Sequence, residues 1–129
     1  MLQAAERFGL LADGMRVRGI AAPEAAHFLM KLMFCMFAED IRLLPAETFK
    51  KVLAAGKDDP QRLCDMLRNL FAAMSAGGYF GADEIEWFNG GLFADSDVIE
   101  LHREEIEALI RINEQDWGSV ELNARVRRW

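Results

Sequence analysis

Carboxylates are the side chains in this sequence that come nearest to a catalytic grouping. Asp83, Glu84 and Glu86 form the densest acidic cluster outside the predicted helices, and with Glu39 and Asp40 they are the candidates for a divalent-metal or acid–base site. Such a site needs two carboxylates held together beside a basic partner. None of the four lysines has an Asp or Glu two positions before it, so the carboxylate-x-lysine element common in metal-dependent nucleases is missing, and a solvated acidic loop is the favoured reading. His27 and His102 are far apart, and neither belongs to a His-x-x-x-His or Cys-His pair that could converge on zinc. Cys35 and Cys64 fall on apolar helical stripes, where burial silences a thiol. No Gly-x-Gly loop is present for a dinucleotide or methyl donor, and Gly56-Lys57-Asp58 lacks both the upstream glycine and the following Ser or Thr of a phosphate-binding loop. The chain therefore offers no catalytic, cofactor-binding or metal-ligating set of its own.

The elements that would position these residues are helices. Ala4, Phe8, Leu11, Ala12 and Met15 share one face of a helix predicted over Leu2 to Arg18, with Gly19 as its stop and Gly9 and Gly14 as close-packing positions or weak points. Pro23 suits the first turn of a second, central helix that is apolar on most sides through Phe37. That helix ends in Glu39-Asp40, two carboxylates at the negative end of a helix dipole, which implies either a functional site or an ion pair with a neighbour such as Arg42. Pro45 opens a third helix to about Ala55, with Glu47 in its first turn and Gly56 closing it. Asp58-Asp59-Pro60 starts a fourth, which carries Leu63, Met66, Leu67, Leu70, Phe71 and Met74 and stops at Gly77-Gly78. From Tyr79 to Asp97 the helical period is lost, and Asn89-Gly90 suits either a short hairpin or an ordered loop. A last helix spans Arg103 to Glu114. The expected fold is all-α, an irregular bundle of about five helices with one ordered aromatic and glycine-rich loop or short hairpin.

Composition agrees with a globular chain, at 52% apolar and 28% charged residues, and most of the seven methionines lie at helical core spacing. The run from His27 to Ala38 is shorter than the roughly 20 apolar residues of a membrane span and contains Lys31, so it reads as a core helix with no membrane role. Free thiols without a CxxC pair and an N-terminus without an apolar leader imply a cytoplasmic location. The net charge is −6, yet Arg125, Arg127 and Arg128 crowd the last five positions. Setting those aside leaves twelve basic against 21 acidic residues over positions 1–124, a balance of −9 that repels a phosphate backbone. The tail residues Arg125, Arg127, Arg128 and Trp129 are the candidate nucleic-acid contact, through phosphate neutralisation and indole stacking.

The segment from Phe28 to Asp40, followed by Leu43-Leu44-Pro45, resembles the helical, helicase-like spacer of MmeI-like type II restriction-modification enzymes, which carry a class I S-adenosylmethionine-dependent DNA methyltransferase. Asn89-Gly90-Gly91-Leu92-Phe93 and then Asp116-Trp117 follow in the family's order, so that the resemblance covers roughly residues 5 to 121. It implies a spacer domain over residues 1–121 that connects a nuclease to an N6-adenine DNA methyltransferase, with no reaction of its own. The partners implied are those two domains and, through them, DNA. S-adenosylmethionine and magnesium belong to the parent enzyme and not to this chain. Residues 122–129 depart from the family with a basic tail, as a truncated gene, a frame disruption or a remnant would. Detached from its neighbours, the spacer would expose apolar surface and could form a homo-oligomer. Trp87, Phe88, Asn89, Gly90, Gly91, Leu92 and Phe93 are the candidate docking surface, since aromatic residues in a glycine-turned loop serve as contact anchors or as core plugs. The rival reading is a free-standing helical interaction or regulatory protein that self-associates and touches DNA through the tail.

Overall fold

In the computed structural model, residues 2–45, 47–80, 83–85, 91–95 and 97–114 are described, without the side chains of residues 2–5 and 83. Five helices and one small hairpin lie among them, in the order α1 (Leu2–Val17), α2 (Ala22–Asp40), α3 (Thr48–Gly56), α4 (Pro60–Ala76), β1 (Gly78–Phe80), β2 (Asp83–Ile85) and α5 (Arg103–Asn113). The expected bundle of about five helices with a short hairpin is what forms.

Helix ends follow from local chemistry. Gly19 takes a left-handed φ of 92°, and the Ile20 N–H reaches the Met15 carbonyl at 3.0 Å while the Gly19 N–H reaches that of Arg16 at 2.9 Å. This is the paired closure that leaves few carbonyls of the last turn unpaired. At α4 the Asp59 carboxylate accepts from the Arg62 N–H at 3.2 Å, and Pro60 fills a first-turn position where no N–H is needed. Gly77, with φ of 79°, ends that helix. Gly9 and Gly14 sit inside α1, and a Cβ built on either meets nothing within 4 Å, so they are weak points in the helix and not close-packing positions.

The start of α3 differs from expectation. It begins at Thr48 and not at Pro45, and Glu47, instead of sitting in the first turn, precedes the helix in a left-handed conformation with φ of 65°. The reason lies in the preceding helix. The Glu39 carboxylate accepts from the N–H groups of Phe49 and Lys50 at 2.6 and 3.1 Å, so a residue ten positions upstream caps α3. For Glu39, that contact takes the place of an ion pair with Arg42. Glu39 is unfavourable at the end of its own helix but favourable at the start of the next.

The core joins Met15 of α1, Leu32, Cys35 and Met36 of α2, Phe49 and Leu53 of α3, Leu67, Leu70, Phe71 and Met74 of α4, and Ile106, Leu109 and Ile112 of α5. Within it the Cys35 thiol donates to the Met74 sulfur at 3.4 Å. At the junction of α3 and α4, a Cβ on Gly56 would stand only 2.8 Å from Leu63 Cγ and Cδ2, a separation that real side chains do not tolerate. No helix among the described residues is long and apolar enough to cross a membrane.

The hairpin is antiparallel, with Gly78 opposite Ile85, Tyr79 opposite Glu84 and Phe80 opposite Asp83. It therefore ends before Asn89-Gly90, a pair that lies outside the described residues.

Candidate functional site

Lys31 sits in the middle of α2 and is fully buried. A buried ammonium is costly unless each of its three protons finds an acceptor. Here each does: Nζ donates to Asp95 Oδ1 at 2.7 Å, to the Asp97 carbonyl at 3.0 Å and to the Asp95 carbonyl at 3.3 Å. The charge also lies 5.1 Å from the centre of the Phe71 ring, within cation–π range. One helical turn earlier, His27 Nε2 stands 3.1 Å from Asp95 Oδ2, and the Asp97 N–H returns to Asp95 Oδ1 at 3.1 Å. The Lys31 hydrogen bond is the main reason that the Asp95 carboxyl is held below the ordinary carboxylate range.

These contacts fix the residues around Asp95 and Asp97, ahead of α5. Their anchor is Phe93, which is buried against Phe71 at a ring separation of 5.4 Å and against Phe34 at 6.5 Å, edge to face. Beyond the Lys31 contacts, the same segment is caught again by Arg18, which follows α1 and donates to the Glu100 carbonyl and to Glu105 Oε1, both at 3.0 Å. Glu105 in turn accepts from the His102 N–H at 2.8 Å, which closes the first turn of α5. Its charge suits that end of the helix. Lys31 of α2 and Arg18, just past α1, thus pin residues 91–95 and 97–102, which carry neither helix nor strand.

A cleft of about 530 Å³ opens beside this clamp, lined by Glu24, His27, Lys31, Arg68, Asp95 and Asp97 with an apolar floor of Phe28, Val98 and Ile99. All three Lys31 protons are already spent on the chain itself, which leaves the ammonium nothing to give a substrate. What the arrangement does chemically is hold a connecting segment in one register. A second cleft, of about 430 Å³, lies where Glu39 meets α3 and α5. There Asn113 Nδ2 donates to Glu39 Oε1 at 3.3 Å, so the Glu39 carboxylate ties three helices together.

Of the residues singled out in the sequence, Gly91 is exposed, Leu92 half-buried and Phe93 buried, whereas Trp87, Phe88, Asn89 and Gly90 lie outside the described residues. Arg125, Arg127, Arg128 and Trp129 lie outside them as well. Asp83 and Glu84 occupy β2, Glu86 is not described, and Glu39 is committed to α3. Among the described residues no group of three or more metal-ligating side chains comes together. Burial raises the Cys35 thiol well above its ordinary range and raises that of Cys64 too. His102 precedes α5 as its N-cap residue.

Sequence reasoning missed Lys31, Asp95, Asp97 and Arg18. A signal was present. A lone lysine inside an apolar run, with a histidine four positions earlier, places two basic groups on one helical face, and such a pair asks for acids elsewhere.

The geometry defines a helical fold in which the buried Lys31 and the partly buried Arg18 fasten the residues ahead of α5. A family model described as the MmeI helicase spacer domain matches residues 23–93, and the chain belongs to that family. The matched span runs from the first turn of α2 to Phe93, the residue that seals the clamp's apolar side. No significant match was found among curated proteins or among solved structures.

Proposed function

We propose that this chain is a non-catalytic spacer segment of a DNA restriction-modification protein, one that connects a nuclease to an N6-adenine DNA methyltransferase and works in the cytoplasm. The observation that carries the reading is the family match over α2, α3, α4 and the hairpin. The clamp supports it, because a spacer must transmit a fixed geometry, and here the described residues ahead of α5 are pinned by Lys31 and Arg18. S-adenosylmethionine and magnesium would serve the attached domains. The test is to read the genomic DNA on both sides of this coding sequence in all frames. A nuclease motif upstream, with Gly-rich and Asn-Pro-Pro-Tyr motifs downstream, establishes the spacer role. Their absence overturns it.

A second reading, a self-associating interaction protein, is favoured by Leu10 and Val17 on α1, which are 69% and 88% exposed. Both lie near one face of that helix. Sedimentation equilibrium decides: a stable dimer, lost on the double substitution Leu10→Ser and Val17→Ser, would support it.

A further inference from the structure

On the outer side of α4 lies a groove of about 600 Å³, away from the clamp, lined by Arg62, Met66, Asn69, Tyr79 and Phe80 with small residues as its floor. Tyr79 is 72% exposed. Successive residues of a strand point to opposite faces. Since Tyr79 and Phe80 both line the groove, it runs along the edge of β1 and not over one face. Among the described residues no second strand pairs with that edge, since β1 pairs with β2 alone.

The electrostatics of the groove oppose those of the rest of the chain. In a protein with 21 acidic and 15 basic residues, the described lining of this groove holds no carboxylate and one guanidinium. Arg62 has no side-chain partner among the described residues, and Asp65 on the same helix is taken by Arg68 at 3.2 Å. A guanidinium with no side-chain partner among the described residues, beside two aromatic rings and a strand edge that no other described strand pairs, is a complement for an extended peptide that carries a carboxylate next to an apolar side chain. A nucleic acid fits less well, since one arginine neutralises little phosphate and the body of the chain repels it.

We infer that the groove between α4 and β1 docks an acidic, extended segment of a partner polypeptide, which adds to the β1 edge and pairs its carboxylate with Arg62. The inference is independent of the spacer reading, because a free-standing protein would use the groove in the same way.

The test is an NMR titration of the labelled full chain with a capped hexapeptide of alternating valine and glutamate. A peptide of alternating valine and lysine and a dT oligonucleotide serve as comparisons. The expected result is shifted amides at Tyr79 and Phe80 with the glutamate peptide, bound roughly tenfold more tightly than the lysine peptide, the worth of one charge-assisted hydrogen bond. Arg62→Glu should reverse that order, and Tyr79→Ser should weaken both peptides. Equal affinity for the two peptides, perturbation away from β1, no shift at millimolar peptide, or tighter binding of the oligonucleotide at the same amides overturns the proposal.

Discussion

Lys31 and Asp95 are an unequal pair, since the lysine is fully buried and the aspartate side chain is 47% exposed. Removing the anion strands a cation in the core, whereas removing the cation leaves a carboxylate that can turn to water. Asp95→Ala should therefore cost about 2–3 kcal/mol in urea unfolding, below the usual cost of breaking a buried pair because two carbonyls still accept from Nζ. Lys31→Met should cost only about 1 kcal/mol, as a hydrophobic side chain of similar length often replaces a buried ion with little loss. Equal losses would mean that the pair's burial is not what matters. The pH dependence has a definite sign. The folded state holds the Asp95 carboxyl below its unfolded value, so its contribution is complete above about pH 4 and fades as pH falls through the folded value. In Asp95→Asn that acid-side loss should shrink. The lone lysine in an apolar run was a visible signal, but its partner was not legible, because Lys31 and Asp95 are 64 positions apart and pattern reading sees only neighbours along a helix.

At the scale of elements, helices were legible and their joints were not. Periodicity and punctuation located α1, α2, α4 and α5 to within a residue or two, since an apolar stripe and a glycine stop are local properties. The start of α3 was misplaced because its cap, Glu39, comes from a different helix. Glu39→Ala should cost about 1 kcal/mol or somewhat more, the usual worth of a cap. The two kinds of helical glycine should respond in opposite ways. Gly9→Ala and Gly14→Ala have open space for the new methyl, so each should stabilise by up to about 1 kcal/mol through helix propensity. Gly56→Ala drives a methyl into Leu63 and should lose roughly 1–3 kcal/mol despite the same propensity gain. Thermal unfolding of the three variants checks all of these together.

For the molecule as a whole, charge balance is the informative quantity. Positions 1–124 carry a net −9, so DNA retention at physiological salt should be weak, and what there is should vanish when residues 122–129 are deleted. Retention that survives the deletion would place the contact on the helical body instead. The hairpin shows why the candidate surface was only partly legible. The Asn-Gly signal drew attention to residues 89–90, while the described strands pair Phe80 with Asp83. Phe93 could be named from sequence as an aromatic of interest, but not its burial, which depends on Phe34 and Phe71 from two other helices.

The contact between the Cys35 thiol and Met74 makes the protein its own stopwatch. Neither sulfur is accessible in the folded chain, and burial keeps the thiol protonated, so an alkylating reagent must wait for the core to open. Cys64, at 3% exposure on α4, lies nearer the surface and needs a smaller opening. With a fast reagent, the two labelling rates should separate local fraying of α4 from opening of the whole bundle, read by mass spectrometry without any introduced probe.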